Sequence, residues 1–256
     1  MNKSLSDLKS YNYGCHSEGN LFYCKNRMYK IFKTDNERII ENKQNKIDCL
    51  LTQNKLENVV MPDKKIYRNG KFIGYEMEYM TDMVPLYDLY VFRKNLGEII
   101  NLFYRISLAL RDIHNDDRNI IVSDLNDANI IIDRNLDFRI VDFDSVQIGK
   151  YAADTIYKKV YTYYLKRKEL NFVLSKNMDK LSLIFVFLSI IGIRDIDDIN
   201  IEEYDNLFLK GKTLENLRDI ILDLKDVQTV LNELPYFDEL VFTHDFDNKI
   251  LVKKEI

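Results

Sequence analysis

Proline and glycine are scarce in this chain, three and eight in 256 residues, and that shortage excludes long flexible linkers. Cysteine is present in no useful arrangement. Cys15, Cys24 and Cys49 are odd in number and show no Cys-x-x-Cys spacing. A disulfide frame and a zinc site are therefore excluded, and three free thiols in a reducing compartment are the expectation. The longest apolar stretch, Leu181 to Ile193, is too short to span a bilayer and suits a buried core helix. The opening segment MNKSLSDLKSYNYG lacks an apolar run of the secretory kind, so a cytoplasmic location is expected. Repeats and low-complexity tracts are absent. A net charge of -4 gives no electrostatic footprint for nucleic acid.

What remains is an ordinary globular composition, 46% hydrophobic and 30% charged, with enough chain for one large domain or two small ones. The first third reads as strands around one helix. LFYCKNRMYKIFK contains two β-rich runs joined near Lys25-Asn26. Residues 36–54 carry Ile40, Ile47, Leu50 and Leu51 at helical spacing. KKIYRNGKFIGYEMEYM is a second hairpin, with Asn69-Gly70 supplying the positive-φ turn. Beyond it the pattern is mostly helical. A long helix runs over 96–114, short β runs follow at IIVSDL, NIIID and FRIVDF, and further helices are expected over 179–191 and 213–234. A small β-rich part and a larger helical part meet near residue 81, and a cleft between them is a usual place for a ligand.

The chemistry concentrates in Asp124-Leu-Asn-Asp-Ala-Asn129, then Ile-Ile-Ile-Asp, then Phe-Arg-Ile-Val-Asp142-Phe-Asp144. Phosphoryl transfer needs a metal that neutralises phosphate charge and a carboxylate that orients the attacking hydroxyl and accepts its proton. Mg²⁺ takes hard oxygen ligands, which Asp and Asn supply. The Asp-x-x-x-x-Asn spacing alone says little, because it also occurs at Asp7/Asn12 and Asp195/Asn200. The middle pair differs: it follows a β-like run and precedes a hairpin that ends in Asp-Phe-Asp.

These segments resemble the catalytic loop (His-Arg-Asp-Leu-x-x-x-Asn) and the metal-binding Asp-Phe-Gly motif of the protein kinase superfamily, here Val122-Ser123-Asp124-Leu125…Asn129 and Asp142-Phe143-Asp144. The resemblance implies a small, divergent member of bacterial or phage type. It implies an α+β, bilobal protein-kinase-like fold in one domain over 1–256, with a small β-rich N-lobe over 1–80 carrying one helix and a mainly helical C-lobe over 81–256. It implies ATP and Mg²⁺ as cofactors, Asp124 as catalytic base, and Asn129 and Asp142 as metal ligands. In Arg27-Met-Tyr-Lys-Ile-Phe32, Lys30 takes the place of the strand lysine that contacts ATP phosphates and belongs to the catalytic set. Gly14-Cys-His-Ser-Glu-Gly19 is similar to a degraded glycine-rich loop, with Gly14 and Gly19 as its outer glycines. The helix glutamate that pairs with the strand lysine falls on Glu41, with Gln44 as the other alignment. Met77, Glu78 and Met80 are similar to the hinge that binds adenine through its backbone. Asp179 stands where the family anchors the backbone of the catalytic loop.

Departures from the pattern shape the functional expectation. Ser123 replaces the arginine that normally receives an activation-loop phosphate, so that form of control is not expected. Asn126 replaces a loop lysine or arginine. Asp144 replaces glycine, which stiffens the motif or adds a metal contact. No Ala-Pro-Glu follows. The resemblance implies a Ser/Thr protein kinase that moves the γ-phosphate of Mg-ATP to a hydroxyl. A small-molecule kinase of the aminoglycoside or choline type and a nucleotide-binding pseudokinase scaffold are the alternatives, and nucleotidyl transfer at the same site stays open.

Overall fold

Turn chemistry sets the first sheet. Lys25 takes φ 57° in the two-residue link between strand β2 (Gly19–Cys24) and strand β3 (Arg27–Phe32). Asn69 and Gly70, at φ 52° and 78°, close the tight turn between β4 (Pro62–Arg68) and β5 (Lys71–Glu78). With β1 (Lys9–Ser10) these strands form a five-stranded antiparallel sheet ordered β1-β2-β3-β5-β4. The computed structural model describes residues 9–11, 18–52, 54–166, 173–191, 232 and 234–240, and the chain so described is α+β. Gly14 and the helix expected over 213–234, Asn232 and Leu234 apart, lie outside those residues.

Helix α1 (Glu37–Leu51) begins at Asn36, whose side chain caps the amides of Arg38 and Ile39. Helix α2 (Leu96–Asn115) begins with a reciprocal capping box between Asn95 and Glu98. Between them, β6 (Val84–Pro85) leads into a 3-10 turn over Leu86–Phe92. After α2 come β7 (Ile120–Ile121), β8 (Ile130–Ile132), β9 (Phe138–Ile140) and β10 (Gln147–Ile148). Strand β8 pairs with both β6 and β9, and β10 pairs with β7, all antiparallel. Helices α3 (Lys158–Lys166) and α4 (Lys176–Ile190) complete the described helices, followed by a 3-10 turn at Phe237–Glu239.

Two apolar clusters hold these elements. The smaller one joins Met28, Phe32, Phe72, Tyr75 and Met77 of the sheet to Ile47 of α1. The larger one is built on α2 and α4, where Phe103, Phe187 and Phe237 meet at centroid distances of 4.9–5.4 Å. Leu50, Val59 and Met61 also belong to the larger cluster, so its core reaches back to α1 and the start of β4. Buried apolar area of this extent is the main favourable term in folding. Helix α4 is buried on nearly every face from Leu181 to Leu188, as its unbroken apolar run requires. No helix among the described residues is long and apolar enough to cross a membrane. Cys24 and Cys49 are free thiols, as their spacing implied.

Candidate functional site

The segment 120–129 leaves β7 and turns sharply at Ser123, which adopts φ 62°. Asp179 of α4 fixes that turn. Its Oδ2 accepts the amide of Val122 at 2.7 Å, its Oδ1 accepts the amide of Ser123 at 2.7 Å, and His114 of α2 lies 2.9 Å from Oδ2. The anchoring role expected of Asp179 is thus present as geometry. From the other side, the Ser123 hydroxyl donates to the carbonyl of Thr155 at 2.8 Å and the Tyr157 amide donates to the Ser123 carbonyl at 2.9 Å. Residues 155–157 are stitched to the loop in this way.

Within the loop, Asn126 is the staple. Its amide nitrogen donates to Asp124 Oδ1 at 2.8 Å, and its Oδ1 accepts the amides of Ala128 and Asn129 at 2.9 and 3.0 Å. Asn129 then reaches back, its Nδ2 donating to the Asp124 carbonyl at 3.0 Å, which turns Oδ1 the other way. The same residue ends at the β8–β9 ladder, where its carbonyl accepts the amide of Val141 at 2.9 Å. Asp142 follows immediately, in the left-handed region at φ 65°. Asn129 is thus tied to the backbone of Asp124 on one side and, through Val141, to the backbone next to Asp142 on the other.

Lys30 joins them from the sheet. Its ammonium pairs with Asp142 Oδ1 and with Asp144 Oδ1, the latter at 2.7 Å. The carboxylate of Asp142 also accepts the Ser145 hydroxyl at 2.9 Å. Burial alone would lower the Lys30 pKa, but Asp144 and Asp142 override it and hold the group above its ordinary value. Gly19, expected in a phosphate-binding loop, lies instead in β2 over the Lys30 stem. A Cβ there would stand 3.0 Å from Lys30 Cγ and 3.3 Å from Cε, so glycine leaves the stem its path. Gly74, which the sequence reading passed over, is needed more strictly, because its Cβ would fall 2.0 Å from the Lys30 carbonyl oxygen. Met77 is buried at the end of β5, Glu78 is exposed beside it, and Met80 packs on the smaller cluster.

One expectation is corrected. Glu41 is exposed on the outer face of α1, and the Lys30–Glu41 pair is not formed. The helix turns Lys43, Lys46, Ile47 and Leu50 inward instead, while Gln44 is half-buried. Lys43 pairs with Glu18, Asp144 and Asp154 at 2.8–3.0 Å, and Lys46 pairs with Asp154 at 2.6 Å. Asp144 is fully buried. Its Oδ1 receives the Tyr75 hydroxyl at 2.6 Å as well as Lys30, and its Oδ2 receives Lys43. Both oxygens of Asp144 are therefore spent on protein partners.

A divalent cation finds oxygen donors here of limited number. Asn129 and Asp142 supply an amide and a carboxylate, both half-buried, while no group of three or more His, Cys, Asp or Glu side chains suits a metal among the described residues. Both are hard oxygen donors of the kind Mg²⁺ takes. No protein-family model matches the chain, and no curated protein matches it.

Proposed function

We propose that the chain is an ATP-dependent phosphotransferase of the protein-kinase type, transferring the γ-phosphate of Mg-ATP to a hydroxyl, with Ser/Thr side chains as the first acceptor class to test. The observation that carries this reading is the Lys30–Asp142 ion pair beside a loop in which Asn129 bonds both the Asp124 carbonyl and the amide of Val141, the neighbour of Asp142. In this reading the sheet with α1 and the helical remainder are the two lobes, and the end of β5 at Met77–Met80 is the hinge against which adenine lies. Lys30 presents a permanently charged ammonium to phosphate oxygens. Asn129 and Asp142 would hold Mg²⁺, which when bound neutralises phosphate charge. Asp124, its carboxylate oriented by Asn126, accepts the proton of the attacking hydroxyl.

The test is transfer of labelled phosphate from Mg-ATP, read by autoradiography and mass spectrometry, for the full chain beside Asp124→Ala and Asp142→Asn. Loss of about 10²–10⁴-fold in rate is expected for Asp124→Ala. Transfer that persists at full rate in both variants defeats the assignment. The small-molecule reading is favoured by one feature, the absence of Ala-Pro-Glu between Asp142 and Asp179. A paired screen of protein and metabolite acceptors separates the two.

A further inference from the structure

We propose that Asp144 is the residue that positions Lys30 for nucleotide phosphates, the task the sequence reading gave to Glu41. This rests on the phosphotransferase reading above. A lysine that meets phosphate needs an anion that keeps its ammonium in place without itself being drawn to the ligand. Asp142 is poorly suited to that task, because it is half-exposed and is one of the two groups that would face the metal. Asp144 is well suited. It is fully buried, 2.7 Å from the Lys30 ammonium through Oδ1, and its orientation is fixed by the Tyr75 hydroxyl on the same oxygen and by Lys43 on the other. Lys43 is itself held by Glu18 and Asp154, and Asp154 also receives Lys46.

The polarity of the arrangement is the reverse of the one expected. The chain segment after Asp142 supplies the carboxylate, and helix α1 supplies cations that hold it. Gly19 on one strand and Tyr75 on the other confine the Lys30 side chain between them, so its ammonium has a defined path to Asp144. Asp144 thus acts through Lys30 and touches no substrate atom in this scheme, which makes it a positioning residue.

The experiment is a double-mutant cycle on Mg-ATP affinity, measured by isothermal titration calorimetry on the full chain, with Lys30→Met, Asp144→Asn and the two combined. If Asp144 works through Lys30, each single change weakens binding about tenfold and the combination weakens it no further than either alone. A residue that merely supports the fold would give losses that multiply, and that result overturns the proposal. Mg-ATP binding by Asp144→Asn equal to that of the unaltered chain overturns it too, as does a loss in Glu41→Gln as large as that in Asp144→Asn. Thermal unfolding of each variant accompanies the cycle. Should Asp144→Asn not fold, Lys43→Met/Asp144→Asn takes its place, because it removes one charge of each sign. Failure of the underlying reading looks different: the unaltered chain then does not bind Mg-ATP at all, which removes both proposals.

Discussion

Two aspartates among the described residues are fully buried, and they are satisfied in opposite ways. Asp179 is met by two backbone amides and a histidine, groups contributed by the loop it anchors and by α2. Asp144 is met by two lysines and a tyrosine that come from β3, α1 and β5. The first is a carboxylate satisfied mainly by neutral donors, close in its chemistry to a helix cap. The second is part of an ionic network of Lys30, Lys43 and Lys46 with Asp142, Asp144, Asp154 and Glu18. Charges taken out of water cost several kcal/mol each unless their partners are in place. A site made from amides is therefore tolerant, and one made from lysines is all-or-none.

Chemical denaturation separates the two most sharply. Asp144→Ala takes one carboxylate from two buried ammonium groups, leaving Lys30 only Asp142 and Lys43 only Glu18 and Asp154, and is expected to cost about 3–5 kcal/mol. Asp179→Ala leaves two amides and an imidazole without their acceptor and is expected to cost about 2–4 kcal/mol. A larger loss at 179 than at 144 would break the comparison. Acid titration sharpens it next. Burial would raise the Asp144 carboxyl, but Lys30 and Lys43 overrule it and hold its pKa below the ordinary 3.8. A carboxylate depressed in the folded state contributes stability that is complete above its unfolded value and is lost as pH falls below it. The unaltered chain should then lose unfolding free energy below about pH 4 more steeply than Lys43→Met/Asp144→Asn. Equal slopes would mean that this carboxylate is not the titrating partner. The smallest effect is expected for Tyr75→Phe, which removes one donor from Asp144 and should cost about 1 kcal/mol in the same melts.

Much of the frame was legible in sequence because its signals are local. Asn69-Gly70 specifies a tight turn by itself, and the apolar spacing over 96–114 marks out α2. Asp124, Asn129 and Asp142 stood out because they flank one short hairpin. The interior of α1 did not. Charge alone argues for an outward Lys43 and Lys46, and they are buried because Asp144 and Asp154 wait about a hundred positions further along the chain. Glu41 was set beside Lys30 by resemblance alone, and the helix leaves it exposed. Gly74 was missed for a related reason: a glycine inside a strand looks like a weakness until the Lys30 carbonyl across the ladder is seen to occupy its Cβ position. The positive φ at Ser123 was equally invisible, since serine does not advertise a left-handed backbone.

The stitch between Ser123 and residues 155–157 consists of one hydroxyl and one amide bonding to carbonyls, with no ion among them. The ion pairs of Asp154 with Lys43 and Lys46 lie next to this stitch and take no part in it. The turn beneath Asp124 is clasped on this flank by uncharged bonds, so changes of ionic strength leave that clasp in place.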